Sequence, residues 1–184
     1  MVAFSLSMED RQVLLAAART AIESRLLRLS ASYPQGSPVL QTPCGAFVTL
    51  KIDGNLRGCI GAVTAAKPLV ETVKEMAVAS AFEDPRFTPL RREELTGLQI
   101  EISALSPFRR IDDVGQIEVG THGILMRRGY RSGLLLPQVA TEQGWDRNAF
   151  LRHTCRKAGL PEDAWKDPET AIEVFSAIVF HEER

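Results

Sequence analysis

The residues best suited to chemistry lie in one short segment, Leu56-Arg57-Gly58-Cys59-Ile60-Gly61. If this segment is an extended strand, alternate side chains share a face, so Arg57 and Cys59 lie on the same side. A guanidinium near a thiol favours the thiolate, which is the nucleophilic form. Gly58 and Gly61 also remove side-chain bulk on either side of the sulfur. This combination is typical of an accessible nucleophilic cysteine.

A purely structural role explains the same segment equally well. Cysteine is among the residues most often buried, and glycine in a strand can serve close packing or a bulge. Gly58 and Gly61 alone are weak evidence for phosphate binding, because no longer glycine-rich pattern surrounds them. A reactive thiol and a packing cysteine therefore both stay open at Cys59.

Four further polar residues could complete a site if the fold brings them to Cys59. Glu101 could act as a general base or could orient Arg57. The other three residues could bind a ligand. The alternative is a structural ion-pair network. The candidate base is Glu101, and the candidate binding residues, beside Arg57, Gly58 and Gly61, are Asp84, Arg86 and Ser103.

The elements that must position these residues can be predicted from local patterns. Residues 46–52 and 56–60 are rich in β-forming residues and flank Asp53-Gly54, which predicts a hairpin. Residues 68–82 form an amphipathic helix that ends at the Glu83-Asp84-Pro85-Arg86 break. Residues 98–104 alternate between apolar and polar, so Glu101 and Ser103 should share one face of a strand.

The rest of the chain mixes helices and strands without strict alternation, which favours an α+β fold with a largely antiparallel sheet and flanking helices. Ser7 can cap the first helix and Asp146 a later one. The predicted helices cover residues 7–30, 138–143 and 146–157, and the predicted strands cover 116–119, 124–126, 134–136 and 171–180.

Composition limits the classes of function. The chain of 184 residues suits one domain or two small lobes that share a core, and its net charge of −1 argues against a large basic surface for nucleic-acid binding. Three widely spaced cysteines do not make a disulfide framework. No apolar run reaches the length of a membrane span, and no signal peptide is recognisable, so we expect a cytoplasmic protein. No zinc, P-loop or dinucleotide motif occurs, and we expect no metal and no cofactor.

Four motifs follow one another along the chain: Gly45-Ala46-Phe47-Val48-Thr49-Leu50, Leu56-Arg57-Gly58-Cys59-Ile60-Gly61, Asp84-Pro85-Arg86-Phe87, and Leu135-Leu136-Pro137-Gln138-Val139-Ala140 with Trp145. This ordered set covers nearly the whole chain and resembles the AMMECR family, whose bacterial and archaeal members are labelled AmmeMemoRadiSam system protein A. The resemblance implies one domain over residues 1–184 that can divide into a larger and a smaller lobe around a cleft, with Leu56 to Gly61 near that cleft. It also implies a pathway shared with a radical SAM protein and a Memo-type protein.

Two hypotheses from different classes follow, and the residues leave both open. In the first, the protein is a thiol-dependent enzyme or small-molecule carrier in which Cys59 is the nucleophile, Arg57 its partner and Glu101 the proton acceptor. In the second, the same cleft is a non-catalytic binding or adaptor site, where Arg57 and Arg86 hold a peptide or a small anion.

Overall fold

A computed structural model describes residues 4–64 and 66–183 and divides the chain into two compact units. The first unit comprises the chain up to Pro107 together with the segment from Ile178 onward, and the second comprises Phe108–Ala177. The helices are α1 (Met8–Leu27), α2 (Leu69–Phe82), α3 (Pro137–Glu142) and α4 (Arg147–Lys157). The strands are β1 (Ala46–Ile52), β2 (Asn55–Ala62), β3 (Leu98–Leu105), β4 (Arg109–Ile111), β5 (Gly123–Arg128), β6 (Arg131–Leu135), β7 (Ala171–Phe175) and β8 (Ala177–His181).

The first unit packs α1 and α2 on one face of a four-stranded sheet with the order β2-β1-β3-β8. Alternate side chains of β1 and β3 point into this core, because successive residues of a strand face opposite sides. Val48 and Ile102, for example, are fully buried with Leu14 and Val73. We call the other side of the sheet the polar face, and it carries Thr49, Lys51, Cys59 and Glu101, all of them half-buried.

Local signals fix where elements of the first unit begin and turn. The Ser7 hydroxyl accepts a hydrogen bond from the Asp10 N–H, and the Asp10 carboxylate accepts one from the Ser7 N–H, so a capping box starts α1. The turn between β1 and β2 places Asp53 at φ 50° and Gly54 at φ 77°. Both angles are left-handed, as the tight turns that match strand twist require, and this turn sets the hairpin that carries Cys59.

The second unit has its own four-stranded sheet, in the order β4-β7-β5-β6, and its own core. The carboxylate of Asp146 accepts a hydrogen bond from the Ala149 N–H and caps α4. The buried face of α4 then packs Phe150, Leu151 and Cys155 into that core. None of the residues predicted to form a site lies in this unit.

The predicted α+β class with antiparallel strands is confirmed, but the strands form two sheets instead of one. The predicted strand 171–180 breaks at Ser176 into β7 and β8, which join different sheets. The strand predicted at 116–119 is wrong, because a 3-10 turn (Val114–Gln116) occupies its start, and β4 was missed. The prediction of a cleft between two lobes stays a prediction.

Within residues 4–64 and 66–183, no helix is both long enough and apolar enough to cross a bilayer.

Candidate functional site

Cys59 lies on β2, directly opposite Thr49 in the register of the β1–β2 hairpin. The Thr49 hydroxyl donates a hydrogen bond to the Cys59 Sγ at 3.3 Å. The Cys59 side chain is half-buried, whereas Cys44 and Cys155 are fully buried. The thiol predicted to be accessible is therefore the most exposed of the three, and its sulfur already has a polar partner.

The main chain of Cys59 is held by an ion pair in the turn that follows α2. The Cys59 N–H donates to Asp84 Oδ2 at 2.9 Å, and Arg86 Nη2 donates to the Cys59 carbonyl at 3.3 Å. Arg86 also donates from Nε to Asp84 Oδ1 at 3.0 Å and from Nη2 to Oδ2 at 2.7 Å. The fold thus brings Asp84 and Arg86, both predicted to bind ligand, to Cys59. Both side chains form hydrogen bonds with its backbone.

The Asp84 side chain is only 2% exposed, a burial that a carboxylate tolerates when its oxygens accept several hydrogen bonds. The bonds from the Arg86 guanidinium and the Cys59 N–H hold the pKa of Asp84 well below its usual range. The same ion pair raises the pKa of Arg86. Both groups therefore stay charged at neutral pH.

A buried hydroxyl from α2 links the two strands of the hairpin. The Ser80 hydroxyl accepts a hydrogen bond from the Ile60 N–H and donates one to the Val48 carbonyl, both at 2.8 Å. This contact brings the α2 backbone against β2, and a Cβ on Gly58 would lie 2.1 Å from the Ser80 carbonyl oxygen. Gly58 is therefore needed for this close approach, which gives it a packing role beside the predicted binding role.

The second glycine of the motif does not open space for a ligand. Gly61 faces Phe47 across the hairpin, and a Cβ on Gly61 would lie 2.1 Å from the Phe47 ring. The ring occupies the volume that the missing side chain leaves free. On the next strand, Ser103 is the register partner of Phe47 and is buried, so Gly61, Phe47 and Ser103 form one row across the sheet.

Arg57 does not serve the thiol in the way predicted. Its guanidinium binds Glu94, from Nε to Oε1 at 2.7 Å and from Nη2 to Oε2 at 3.1 Å, and it donates to the Thr88 carbonyl at 2.9 Å. The Arg57 side chain is only 13% exposed. The interaction with Glu94 lowers the pKa of that carboxyl. Arg57 therefore ties the segment 88–94 to β2.

The β1–β2 hairpin has an irregularity at Arg57. Leu50 pairs with Gly58 whereas Lys51 pairs with Leu56, so the register shifts and leaves Arg57 without a partner on β1. A bulge of this kind turns the side chains that follow it, and strict two-residue alternation no longer applies. The cation found next to Cys59 is Arg86.

Glu101 lies in the same row as the thiol but is committed to another cation. Cys59, Thr49 and Glu101 are consecutive register partners across β2, β1 and β3. Two strand spacings separate the Cys59 and Glu101 backbones by about 10 Å. The Lys51 Nζ binds Glu101 Oε2 at 2.9 Å. The predicted orientation of Arg57 by Glu101 is wrong, since each of the two has a different partner.

Two residues of this arrangement were missed in the sequence, Thr49 and Ser80. Alternation along β1 places Thr49 on the face of Cys59, and the buried side of α2 carries two hydroxyls, Thr72 and Ser80. A buried hydroxyl requires a partner, and Thr72 finds one in the Pro68 carbonyl one turn before it, whereas Ser80 bonds to the hairpin.

A groove of about 890 Å³ in the first unit lies away from these residues. It runs along the outer side of α1, the start of β3 and the end of β8, and is lined in part by Met8, Arg11, Arg19 and Val179. None of the predicted site residues lines it. The volume of this groove thus gives no support to the chemistry proposed at Cys59.

Comparison with known proteins decides the family. The AMMECR1 family model matches residues 15–180. The chain belongs to the AMMECR1 family. An AMMECR1-type relative from Methanothermobacter thermautotrophicus is 44% identical over 97% of both chains. Protein PH0010 from Pyrococcus horikoshii is 41% identical over 98% of this chain and 93% of its own.

The crystal structure of PH0010 superposes with a TM-score of 0.77 at 42% identity, covering 92% of this chain and 90% of that one. A relative from Aquifex aeolicus is 45% identical over 75% of this chain and 74% of its own. The AMMECR1 fold is therefore shared. PH0010 is itself described as uncharacterized, so the likeness carries no reaction with it.

Proposed function

We propose that this AMMECR1-family protein works through the Cys59 thiol, as a thiol-dependent enzyme or as a carrier of a small molecule. The observation that supports this proposal is the pairing of a half-exposed sulfur with a hydroxyl donor, Thr49, at 3.3 Å. A donor aimed at the sulfur stabilises the thiolate more than the thiol. The main chain of Cys59 is fixed as well, so the nucleophile has a defined position.

The neighbouring polar row gives the proposed chemistry a proton acceptor. Glu101 lies two strands from Cys59, too far for a direct bond between their side chains. As a general base, Glu101 would act on a substrate group that lies above Thr49, between the carboxylate and the sulfur. Lys51, bound to Glu101, would place a positive charge at the same end of the substrate.

Alkylation by iodoacetamide across a pH series tests the proposal on the folded protein, with the Cys59→Ser variant as baseline. We expect Cys59 to react faster than the cysteine of a short unstructured peptide at pH 7. Thr49→Val should slow Cys59 by about threefold to tenfold, because one neutral hydrogen bond to the sulfur is lost. A Cys59 that reacts more slowly than the peptide in the folded protein would refute the nucleophile.

A second candidate function has its own supporting observation. The Arg86 side chain is 53% exposed although it binds Asp84, and it lies 5.5 Å from the Phe87 ring. An exposed guanidinium beside an aromatic ring suits a carboxylate or phosphate ligand, so a non-catalytic binding or adaptor module is the alternative. Titration with a short acidic peptide separates the two. Binding that survives Cys59→Ser and is lost in Arg86→Gln favours the module.

The proposed place of the protein rests on the family resemblance. We propose that it acts in the cytoplasm in a pathway shared with a radical SAM protein and a Memo-type protein. Purified samples of both can be tested for binding to the wild-type chain and to a variant with Arg57→Gln and Arg86→Gln. Binding unchanged in the variant would place the contact surface elsewhere, and the absence of any binding would limit the proposal to a shared pathway.

A further inference from the structure

The Asp84–Arg86 ion pair touches Cys59 at both of its main-chain polar groups. We propose that Asp84 and Arg86 are positioning residues that fix the backbone of Cys59 and balance the charge next to its thiol. This inference deepens the proposed function and rests on it, because it assigns a purpose to the surroundings of the same sulfur. The pair acts through Cys59 and does not itself need to contact a ligand.

The topology makes this contact possible. In an antiparallel strand the N–H and C=O of one residue point to the same side, so a single neighbouring group can bind both. β2 is an edge strand of its sheet, with β1 on one side only. The Cys59 N–H reaches Asp84 at 2.9 Å and the Cys59 carbonyl receives Arg86 at 3.3 Å. The ion pair thus takes the place of a further strand at this point.

The two charges of the pair are held against each other beside the main chain of Cys59. Two parallel hydrogen bonds join the guanidinium to the carboxylate, at 3.0 and 2.7 Å, so the opposite charges lie side by side. Removing either charge leaves the other uncompensated next to Cys59. An uncompensated cation favours the thiolate and an uncompensated anion favours the thiol.

The other charges around Cys59 are already paired. On β1 and β3, Lys51 binds Glu101, and Thr49 contributes only a neutral hydroxyl. On β2 itself, Arg57 binds Glu94, which lies in a 3-10 turn over Arg92–Gly97. Asp84 and Arg86 come from the turn after α2 and contact Cys59 directly. A change in this last pair should therefore affect the thiol more than a change in the other two.

Two charge-removing variants test the inference, because the effects should have opposite signs. Asp84→Asn keeps a carbonyl oxygen for the Cys59 N–H and leaves Arg86 in excess. The titration midpoint of Cys59, followed by the chemical shift of its ¹³Cβ, should then move to lower pH. Arg86→Gln leaves Asp84 in excess, and the midpoint should move to higher pH. At effective dielectric constants between those of water and a protein surface, either change corresponds to about threefold to thirtyfold in the thiolate-to-thiol ratio.

Three further variants make the result decisive. Arg86→Lys keeps the charge and should return the midpoint close to that of the wild type, which a merely structural role would not predict. Arg57→Gln removes a guanidinium bound to Glu94 and should move the midpoint less than Arg86→Gln. Cys59→Ser identifies the signal. Thermal melts of each variant check that the signal comes from folded protein.

Midpoints that move in the same direction in Asp84→Asn and Arg86→Gln, or that stay at the wild-type value in both, would overturn the inference. The titration does not depend on reactivity, so it also separates this inference from the proposed function. Opposite shifts with a Cys59 that resists alkylation would keep the positioning pair and refute the nucleophile.

Discussion

Two cysteines of this chain have opposite surroundings. Cys155 lies on the buried face of α4 in the second unit, with its Sγ 3.2 Å from the Met126 Sδ, and burial raises the pKa of its thiol. Cys59 lies on an edge strand of the first unit, where a hydroxyl contacts its sulfur and an ion pair holds its backbone. Residue type alone therefore says little about the role of a cysteine.

The two cysteines differ in how their main chains are bonded, and Gly58 is the sequence signal for the arrangement at Cys59. Cys155 lies in the last turn of α4, where its carbonyl accepts hydrogen bonds from the Ala158 and Leu160 N–H groups, so backbone donors satisfy the carbonyl and the side chain is free to pack. Cys59 follows Gly58, and this glycine lets the end of α2 come within contact distance of β2. The polar side chains near that end, Ser80 and Asp84, can then reach backbone groups of the edge strand.

The largest expected effect is that of Gly58→Ala, which pushes α2 away from β2. The new Cβ would lie 2.1 Å from the Ser80 carbonyl oxygen, and backbone atoms cannot move aside as a flexible side chain can. We expect the free energy of unfolding to fall by about 2–3 kcal/mol. Urea denaturation of the purified variant measures it.

Gly97→Ala is the matched control, because its Cβ would meet only the Ile52 Cγ2 at an ordinary 3.5 Å. It should change the free energy of unfolding by less than about 1 kcal/mol. Equal effects of the two substitutions would show that the contact between α2 and β2 is not tight.

Removing the Ser80 hydroxyl should have the next largest effect. Ser80→Ala leaves the Ile60 N–H without its acceptor and the Val48 carbonyl without its donor. The free energy of unfolding should fall by about 1–3 kcal/mol.

Thr154 is the matched control. In the second unit the Thr154 hydroxyl, equally buried, donates only to the Phe150 carbonyl one turn before it. Thr154→Val should therefore cost less than about 1 kcal/mol in the same denaturation experiment. The reverse order would show that the hydroxyl bridge does not hold the hairpin.

The smallest expected effect is that of Glu94→Gln, and it should depend on pH. Arg57 lowers the pKa of Glu94 below the ordinary 4.5, so this interaction stabilises the folded state above that pH. The stabilisation is lost as the pH falls through the lowered value. At pH 7 the difference between wild type and variant should be about 1 kcal/mol, because both side chains are largely but not fully buried.

Thermal melts at pH 7 and pH 3 measure this dependence. The two proteins should differ at pH 7 and converge toward pH 3. A difference that grows toward acid pH would contradict the assignment of Arg57 to Glu94.

Local features of the fold could be read from the sequence because neighbouring residues decide them. The Ser7 and Asp146 caps and the Asp53-Gly54 turn agree with prediction. The break at Ser176 could not be read, because residues 171–180 alternate as one strand would and only tertiary pairing assigns β7 and β8 to different sheets.

The sequence predicted which residues form the site better than it predicted the contacts between them. Cys59, Asp84 and Arg86 were named and do come together. The Glu94 partner of Arg57 was not foreseen, and the bulge at Arg57, opposite Leu50 and Lys51, is a property of the strand pair that the β2 sequence alone does not show. Glu101 was placed on the correct face, but its pairing with Lys51 was not foreseen.

Cys59 is half-buried whereas Cys44 and Cys155 are fully buried, so Cys59 should be the cysteine that reacts in the native protein. Native protein can be treated briefly with iodoacetamide at pH 8, unfolded, labelled with an isotopically heavy form of the same reagent, and read by mass spectrometry residue by residue. We predict light label on Cys59 and heavy label on Cys44 and Cys155, since burial raises the pKa of Cys44 to about 11 and that of Cys155 as well. Heavy label on Cys59, or light label spread equally over all three cysteines, would show that the Cys59 thiol is not selectively reachable in the folded protein.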